Sequence, residues 1–334
     1  MTTMPDDVGG RYAGRRLLVT GGAGYIGTSV LRRLSGSGAR VIRLDRPGME
    51  FPPAVAGIDV KDVAADIAER STWDLVDEVD VVIHLAGQTS TYAANADPAA
   101  DLEMNVRPML HLLERCRRRQ GQVDVLFAGT ATQVGVTTKW PVDETLADCP
   151  ATIYDLHKCM AEGYLKHYAR EGIVRGAVLR LSNVYGPGPR TSSRDRGVLN
   201  AMIRKALNHE PLTIYGRGEH IRDYVYVEDV ANAFFMAGAR MDAVNGQHFL
   251  VGSGQGTTIG AGLRLVAERV AARTGARAPV VHVDPPADLS PIESRHFVAD
   301  TGRFRRATGW QPCVSLAEGI DRTIAAVLGE GQRR

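Results

Sequence analysis

The chain has 334 residues, enough for one large core or two joined ones, and its 44% hydrophobic and 23% charged content excludes wholesale disorder. Forty basic against 38 acidic residues leave a formal charge of +2, without the concentrated basic field of a nucleic-acid binder, so no nucleic-acid partner is expected. No apolar run approaches the roughly 18 to 20 residues that cross a bilayer, so no membrane partner is expected either.

Residues 1–14 are polar, with Asp6, Asp7 and Gly9-Gly10 where a signal peptide needs an apolar stretch, and read as a flexible extension. Residues 16–20 then form an apolar run of strand length, followed by a glycine turn and a helical stretch from Tyr25 to about Leu34. Strand candidates follow at 41–44 and 80–85. Residues 101–118 carry Leu102, Val106, Leu110 and Leu113 at helical spacing. The run Arg117-Arg118-Arg119 reads as a helix end, and Arg333-Arg334 as a tail. A strand at 123–127, a helix around 154–168 and a strand at 176–181 complete the pattern. Strands alternating with helices predict an α/β fold with a doubly wound parallel Rossmann sheet. After Asn183 the rhythm changes: 184–189 is turn-rich, and 190–197 reads as a polar loop. The cysteines Cys116, Cys149, Cys159 and Cys313 are scattered without metal-ligand spacing. They fit reduced thiols in a cytoplasmic protein, and no metal site is expected.

Residues 20–27 read Thr-Gly-Gly-Ala-Gly-Tyr-Ile-Gly, directly after the first strand and opening the first helix. Gly21, Gly24 and Gly27 suit a dinucleotide turn: a tight bend, close backbone approach to a pyrophosphate, and close helix–strand packing. The helix N-terminus offers unpaired N–H groups and partial positive charge to that pyrophosphate. Asp45, 18 residues beyond Gly27 at the end of the second strand, suits the adenosine ribose and repels a 2′-phosphate. This points to NAD over NADP, with Arg46 opposing the repulsion. Asp66, after another apolar stretch, stands where it can bind the adenine amino group or cap a helix.

Tyr154 and Lys158 are four apart on a helical stretch and share a face. A phenol of pKa ~10 is a poor base at neutral pH, but a neighbouring ammonium and a positive nicotinamide ring favour its phenolate. Tyr154 can then take the proton of an alcohol while the cofactor oxidises the carbon. A hydroxyl to share that proton belongs after the fifth strand, where Thr130 and Thr132 stand; either can also cap the following turn.

Together these motifs make the chain resemble the extended short-chain dehydrogenases/reductases, in the group called the NAD-dependent epimerase/dehydratase family. The likeness runs from Arg16 to about Leu328. It includes residues 20–27, His84-Leu85-Ala86-Gly87, Asn105, Tyr154 with Lys158, 179–187, 214–226 and 309–312. The resemblance implies a smaller C-terminal substrate-binding lobe, so that 1–14 is an extension, 15–183 the NAD-binding domain with part of 221–252 returning to it, and 184–334 mainly the substrate lobe. It further implies that Thr130 is the catalytic hydroxyl beside Tyr154 and Lys158. The cofactor would also meet Tyr25, Ile26, Ile67, Leu85, Ala86, Gly87 and Asn105. Gln88, Thr132, Asn183 and Arg222 would meet a nucleotide-sugar substrate, Asn183 and Arg222 at its diphosphate. A guanidinium forks onto phosphate oxygens and an amide donates to them. Without the resemblance, Arg222-Asp223 reads as a surface ion pair.

Four places depart from the family pattern. Ala128-Gly129 replaces serine-rich sequence, and Val134 replaces a tyrosine. Ala131-Thr132 stands where the 4,6-dehydratase branch has an Asp-Glu pair. Ser290 takes the place of a second diphosphate arginine, and whether or not Arg295 nearby substitutes for it is left open by the sequence. The expected activity is nucleoside-diphosphate-sugar epimerisation at C4 through a transient keto-sugar, in a homodimer by resemblance. A keto-sugar reductase using NAD(P)H is the alternative, and a catalytically silent NAD-binding regulator a third reading.

Overall fold

The computed structural model describes residues 10–189, 197–275, 277–287 and 289–331. Arg333, Arg334 and all of the segment 190–197 but Gly197 lie outside the described residues. In chain order the elements are β1 (Arg16–Thr20), α1 (Tyr25–Arg33), β2 (Arg40–Asp45), β3 (Asp59–Ala64), a 3-10 segment Arg70–Glu78, β4 (Val81–His84), α2 (Thr91–Ala96), α3 (Pro98–Asn105), α4 (Arg107–Arg118), β5 (Asp124–Thr130), α5 (Ile153–Arg170) and β6 (Arg175–Leu181). Then come β7 (Asn183–Tyr185), α6 (Val198–Leu207), β8 (Leu212–Tyr215), β9 (Ile221–Tyr226), α7 (Val227–Ala239), α8 (Met241–Val244), β10 (Gln247–Val251), β11 (Gly256–Thr258), α9 (Ile259–Thr274), β12 (Val280–Val283), α10 (Gly302–Thr308) and α11 (Leu316–Gly331).

Seven strands pair in parallel in the order β10-β6-β5-β4-β1-β2-β3. The inner strands are covered on both faces, which is why they read as unbroken apolar runs. Alternation along β1 shows the two layers: Leu17 and Val19 join Val30, Leu31, Phe234 and Phe235 on one face, while Leu18 joins Val82, Leu112, Leu113 and Leu165 on the other. Each such side chain contributes roughly 1.5 to 3 kcal/mol by leaving water. The order reverses at β1, which lies between β4 and β2, so a crevice opens at the carboxyl ends of those strands. Residues beyond β6 divide. Strand β10 adds to the large sheet beside β6, and α7 packs on α1. Strands β11-β9-β7 and β12-β8 make two smaller sheets, and Tyr185, Ile203, Leu263, Val266 and Ile320 form a separate core there.

Three elements differ from the sequence reading. The helix expected over 101–118 is two, broken at Val106, because Pro108 in the first turn of α4 has no N–H to give and its ring crowds the preceding turn. Strand β3 was not read as a strand: it is an edge strand with exposed Asp59, Lys61 and Asp62, and so has no apolar run. The expected flexible extension over 1–14 ends earlier. Residues 10–14 form a turn, and Tyr12 is 3% exposed, packing edge-on against Phe235 and donating its hydroxyl to the Phe235 carbonyl at 3.1 Å.

Candidate active site

At the carboxyl end of β1 the backbone turns through Gly21, whose φ of +67° is a left-handed conformation that L side chains rarely adopt. A Cβ there would also lie 2.9 Å from the Ala86 nitrogen, and one on Gly27 would lie 2.2 Å from the Gly21 carbonyl. The turn is therefore a cradle that side chains would fill. Gly24 caps α1 with no side chain on its free N–H groups. These features fit a dinucleotide pyrophosphate. Asp45 closes β2 and accepts from the Ala23 N–H at 3.0 Å and from that of Arg46 at 2.9 Å, so its carboxylate already faces the turn. Asp66 is exposed and accepts from the Ala68 N–H at 2.9 Å, while Ile67 is buried and its carbonyl takes the Trp73 indole N–H. Ile26 packs against the core. Tyr25 reaches across to the later segments: its hydroxyl donates to the Gly186 carbonyl at 2.9 Å and accepts from the Asn200 amide at 3.0 Å.

The strand end beside it is held by Thr20. Its hydroxyl oxygen accepts from the N–H groups of Leu85 and Ala86 at 3.2 and 3.1 Å, so its proton goes to His84 Nδ1, 2.7 Å away. Burial, and then the Lys158 charge, hold the His84 imidazole down to about 3, so it is neutral. Asn105 donates to the Gln88 carbonyl at 3.0 Å and to Asp101 at 2.9 Å, and a Cβ on Gly87 would lie 2.6 Å from Asn105 Oδ1. Gln88 itself donates to Asp101 at 2.7 Å and to the Ser90 carbonyl at 2.8 Å. Asp101, 2% exposed, also meets His157 Nδ1 at 2.6 Å and thereby ties α3 to α5. Neither Asp101 nor His157 was singled out from sequence; their only signal was a carboxylate and an imidazole on otherwise inward-facing helical positions.

Helix α5 begins at Thr152, which caps it, and packs on β5 and β6. Tyr154 and Lys158 are each 6% exposed on its buried side. The Lys158 ammonium stands 4.1 Å from the Phe127 ring centroid, a cation–π contact that holds it against the middle of β5. Thr130 ends β5 and caps the 3-10 turn Ala131–Val134 by accepting from the Thr132 N–H at 3.3 Å. The two threonine hydroxyls are 2.7 Å apart, and that of Thr132 donates to Asp155. Sequence spacing shows no carboxylate after Thr130; in space Asp155, from the next helix, stands there.

Two of the substrate candidates, Asn183 and Arg222, lie on the paired strands β7 and β9, while Gln88 and Thr132 are held by Asp101 and Asp155. Arg222 is 4% exposed, and its guanidinium donates to the Arg295 and Glu293 carbonyls at 2.5 and 2.7 Å and to the Glu293 carboxylate at 3.3 Å. Its sequence neighbour Asp223 is buried on the other side of the strand, accepting from Ser253, Gly254 and Ala299, so the surface ion pair does not exist. Arg295 donates to Asn183 Oδ1 at 3.3 Å, which places two guanidinium groups beside that asparagine's strand. The backbone N–H of Ser290 donates to the Tyr92 hydroxyl at 3.3 Å, and its own side-chain oxygen is buried.

Known proteins resemble this chain in sequence and in fold. The model of a family described as the NAD dependent epimerase/dehydratase family matches residues 17–252. A UDP-glucose 4-epimerase of Mycolicibacterium smegmatis is 32% identical over 324 residues, covering 95% of this chain and 100% of that one. A solved UDP-glucose 4-epimerase of Thermotoga maritima with UDP-glucose superposes with a TM-score of 0.84 at 30% identity, covering 94% of this chain and 99% of that one. One from Thermus thermophilus, in complex with NAD, gives 0.80 at 30% identity with the same coverage.

Proposed function

The chain belongs to the NAD dependent epimerase/dehydratase family, and on that premise we propose that it is an NAD-dependent nucleoside-diphosphate-sugar epimerase acting at C4. The observations that carry the reading are the glycine cradle with Asp45 at the carboxyl ends of β1 and β2, and Tyr154 and Lys158 buried on one helix that packs on β5, the strand that ends at Thr130. Bound NAD supplies the reversible oxidation of the sugar carbon. Gly21, Gly24 and Gly27 receive its pyrophosphate and Asp45 its ribose, with Tyr25, Ile26, Asp66, Ile67, Leu85, Ala86, Gly87 and Asn105 around it. Tyr154 removes the proton of the sugar hydroxyl, favoured as phenolate by the Lys158 charge, and returns it after the keto-sugar has turned over. Asn183 and Arg222 hold the diphosphate, with Arg295 standing in for the arginine that Ser290 replaces. Relatives named UDP-glucose 4-epimerase favour this over a keto-sugar reductase. Two copies of the chain form the working unit, in the cytoplasm, where four free cysteines stay reduced.

Purified protein given UDP-glucose and NAD, with no reduced cofactor added, is expected to form the C4 epimer. Tyr154→Phe is expected to lose nearly all turnover while binding NAD as before, because only the phenolic oxygen is gone. Turnover that requires added NADH or NADPH would instead establish the reductase.

A further inference from the structure

The segment after β4, the helix α3 and the helix α5 meet on one buried carboxylate. Asp101 Oδ1 accepts from the Gln88 side-chain amide at 2.7 Å and from the Asn105 amide at 2.9 Å, and Asp101 Oδ2 stands 2.6 Å from His157 Nδ1. Asp101, Asn105 and His157 are only 2, 3 and 5% exposed. An asparagine amide has two protons, both on its nitrogen. In Asn105 one goes to Asp101 and the other to the Gln88 carbonyl at 3.0 Å. Turned over, the amide would set its oxygen against two other oxygens, so the network fixes which way it faces. Asn105 Oδ1 therefore points away from Asp101, to a place 2.6 Å from where a Cβ on Gly87 would lie. It fills the space that the glycine leaves beyond the end of β4. Among the described residues none donates to it, and it is not sealed from solvent. The adjoining Ala86 nitrogen is the atom that a Cβ on Gly21 would meet at 2.9 Å, so this oxygen stands by the backbone that lines the glycine cradle.

We propose that Asp101 is a positioning residue that holds the Asn105 amide with its oxygen toward the nucleotide crevice, so that this side chain accepts a hydrogen bond from bound NAD and offers none. The donor it takes is an O–H of a ribose or the N–H of the carboxamide. The proposal rests on NAD as the cofactor and not on which sugar carbon reacts. Without the carboxylate the amide is free to turn, and its N–H groups would then face the same donor on the cofactor and lose the bond.

A double-mutant cycle tests this. Protein freed of nucleotide is titrated calorimetrically with NAD, as wild type, Asp101→Leu, Asn105→Ala and the two combined. Asp101→Leu is expected to weaken NAD about two- to tenfold, the worth of one neutral hydrogen bond. In the Asn105→Ala background the same change should weaken it little further, because the amide that Asp101 orients is gone. Asp101→Asn should bind NAD as the wild type does. Its oxygen still accepts from Asn105 and Gln88, and its N–H groups can donate to the other tautomer of His157. A merely structural Asp101 gives losses that add across the cycle; that result, or an unchanged Kd in Asp101→Leu, overturns the proposal. Should Asp101→Leu not fold by circular dichroism, Asp101→Ala takes its place in the cycle. A wild type that binds no NAD overturns the cofactor reading, and this proposal with it.

Discussion

Arg222 shows how far a single residue's surroundings change its meaning. Read along the chain, it pairs with Asp223; in the fold its guanidinium holds the 293–295 segment by two carbonyls and a carboxylate, and Asp223 points away. A residue that both secures this segment and meets a diphosphate should give a double phenotype when removed. Arg222→Ala is expected to raise the KM for the nucleotide sugar by about tenfold to somewhat over a hundredfold, the worth of a charge-assisted hydrogen bond, with a smaller loss in kcat. The melting temperature should fall as well, because buried carbonyls lose their donors. Steady-state kinetics and a thermal melt on one preparation separate the two effects. A lower melting temperature with an unchanged KM would leave Arg222 as structural only.

At the scale of elements, the site depends on how α5 is seated on β6. Arg180, next to the last residue of β6 and 2% exposed, forks onto Glu162 of α5 at 2.7 and 2.8 Å and onto Asp148 of the preceding loop at 2.7 Å. Glu162 also meets Gln133 of the turn that carries Thr130 and Thr132. Burial pushes the Glu162 carboxyl up, but the Arg180 fork, with Lys166 and His248, outweighs it and holds the carboxyl at about 2. Burial, and then Arg180, keeps His248 at about 4, and His84 sits at about 3, against an ordinary 6.5. The signs agree. Between the folded and ordinary values of these imidazoles the unfolded chain binds more protons, so stability falls as pH drops below 6.5 and the His248 contribution is fully lost by about 4. The Glu162 contribution is present above its ordinary 4.5 and is lost as pH falls toward 2. Thermal melts should therefore decline steadily from neutral pH into this acid range. His248→Gln, which keeps an acceptor for Lys166, should flatten the upper part of the decline. A melting temperature constant across the imidazole window would contradict the assignment.

For the whole molecule, the proposed dimer requires a face on which a second copy can sit. The outward face of α5 carries Leu156, 44% exposed, and Met160, 36% exposed, one turn apart, with Tyr92 of α2 as another exposed apolar side chain on the same half of the molecule. Large exposed apolar side chains in a row on one helix suit a self-complementary contact about a twofold axis. Sedimentation equilibrium is expected to give twice the chain mass for the wild type, and the chain mass for Leu156→Glu combined with Met160→Glu. A double variant that remains dimeric would place the contact elsewhere.

Strands β1, β4, β5 and β6, the glycine turn, Asp45, and Tyr154 with Lys158 were legible in the sequence because each is a local pattern. A strand covered on both faces must be apolar throughout, a left-handed turn against two backbones admits only glycine, and four residues of helix put two side chains on one face. The sequence missed β3, whose charged edge has no such pattern, and the break at Val106. It also gave no hint that Asp155, one residue after Tyr154, would reach Thr132, and it brought Arg295 toward Asn183 only through the family resemblance. Those contacts join residues 23 and 112 positions apart through the packing of α5 on β5 and of the 290s segment on β9. Local periodicity determined which elements form and where the cofactor turn lies. Only the tertiary structure decided which buried polar groups share a proton, because each partner is supplied by a different element.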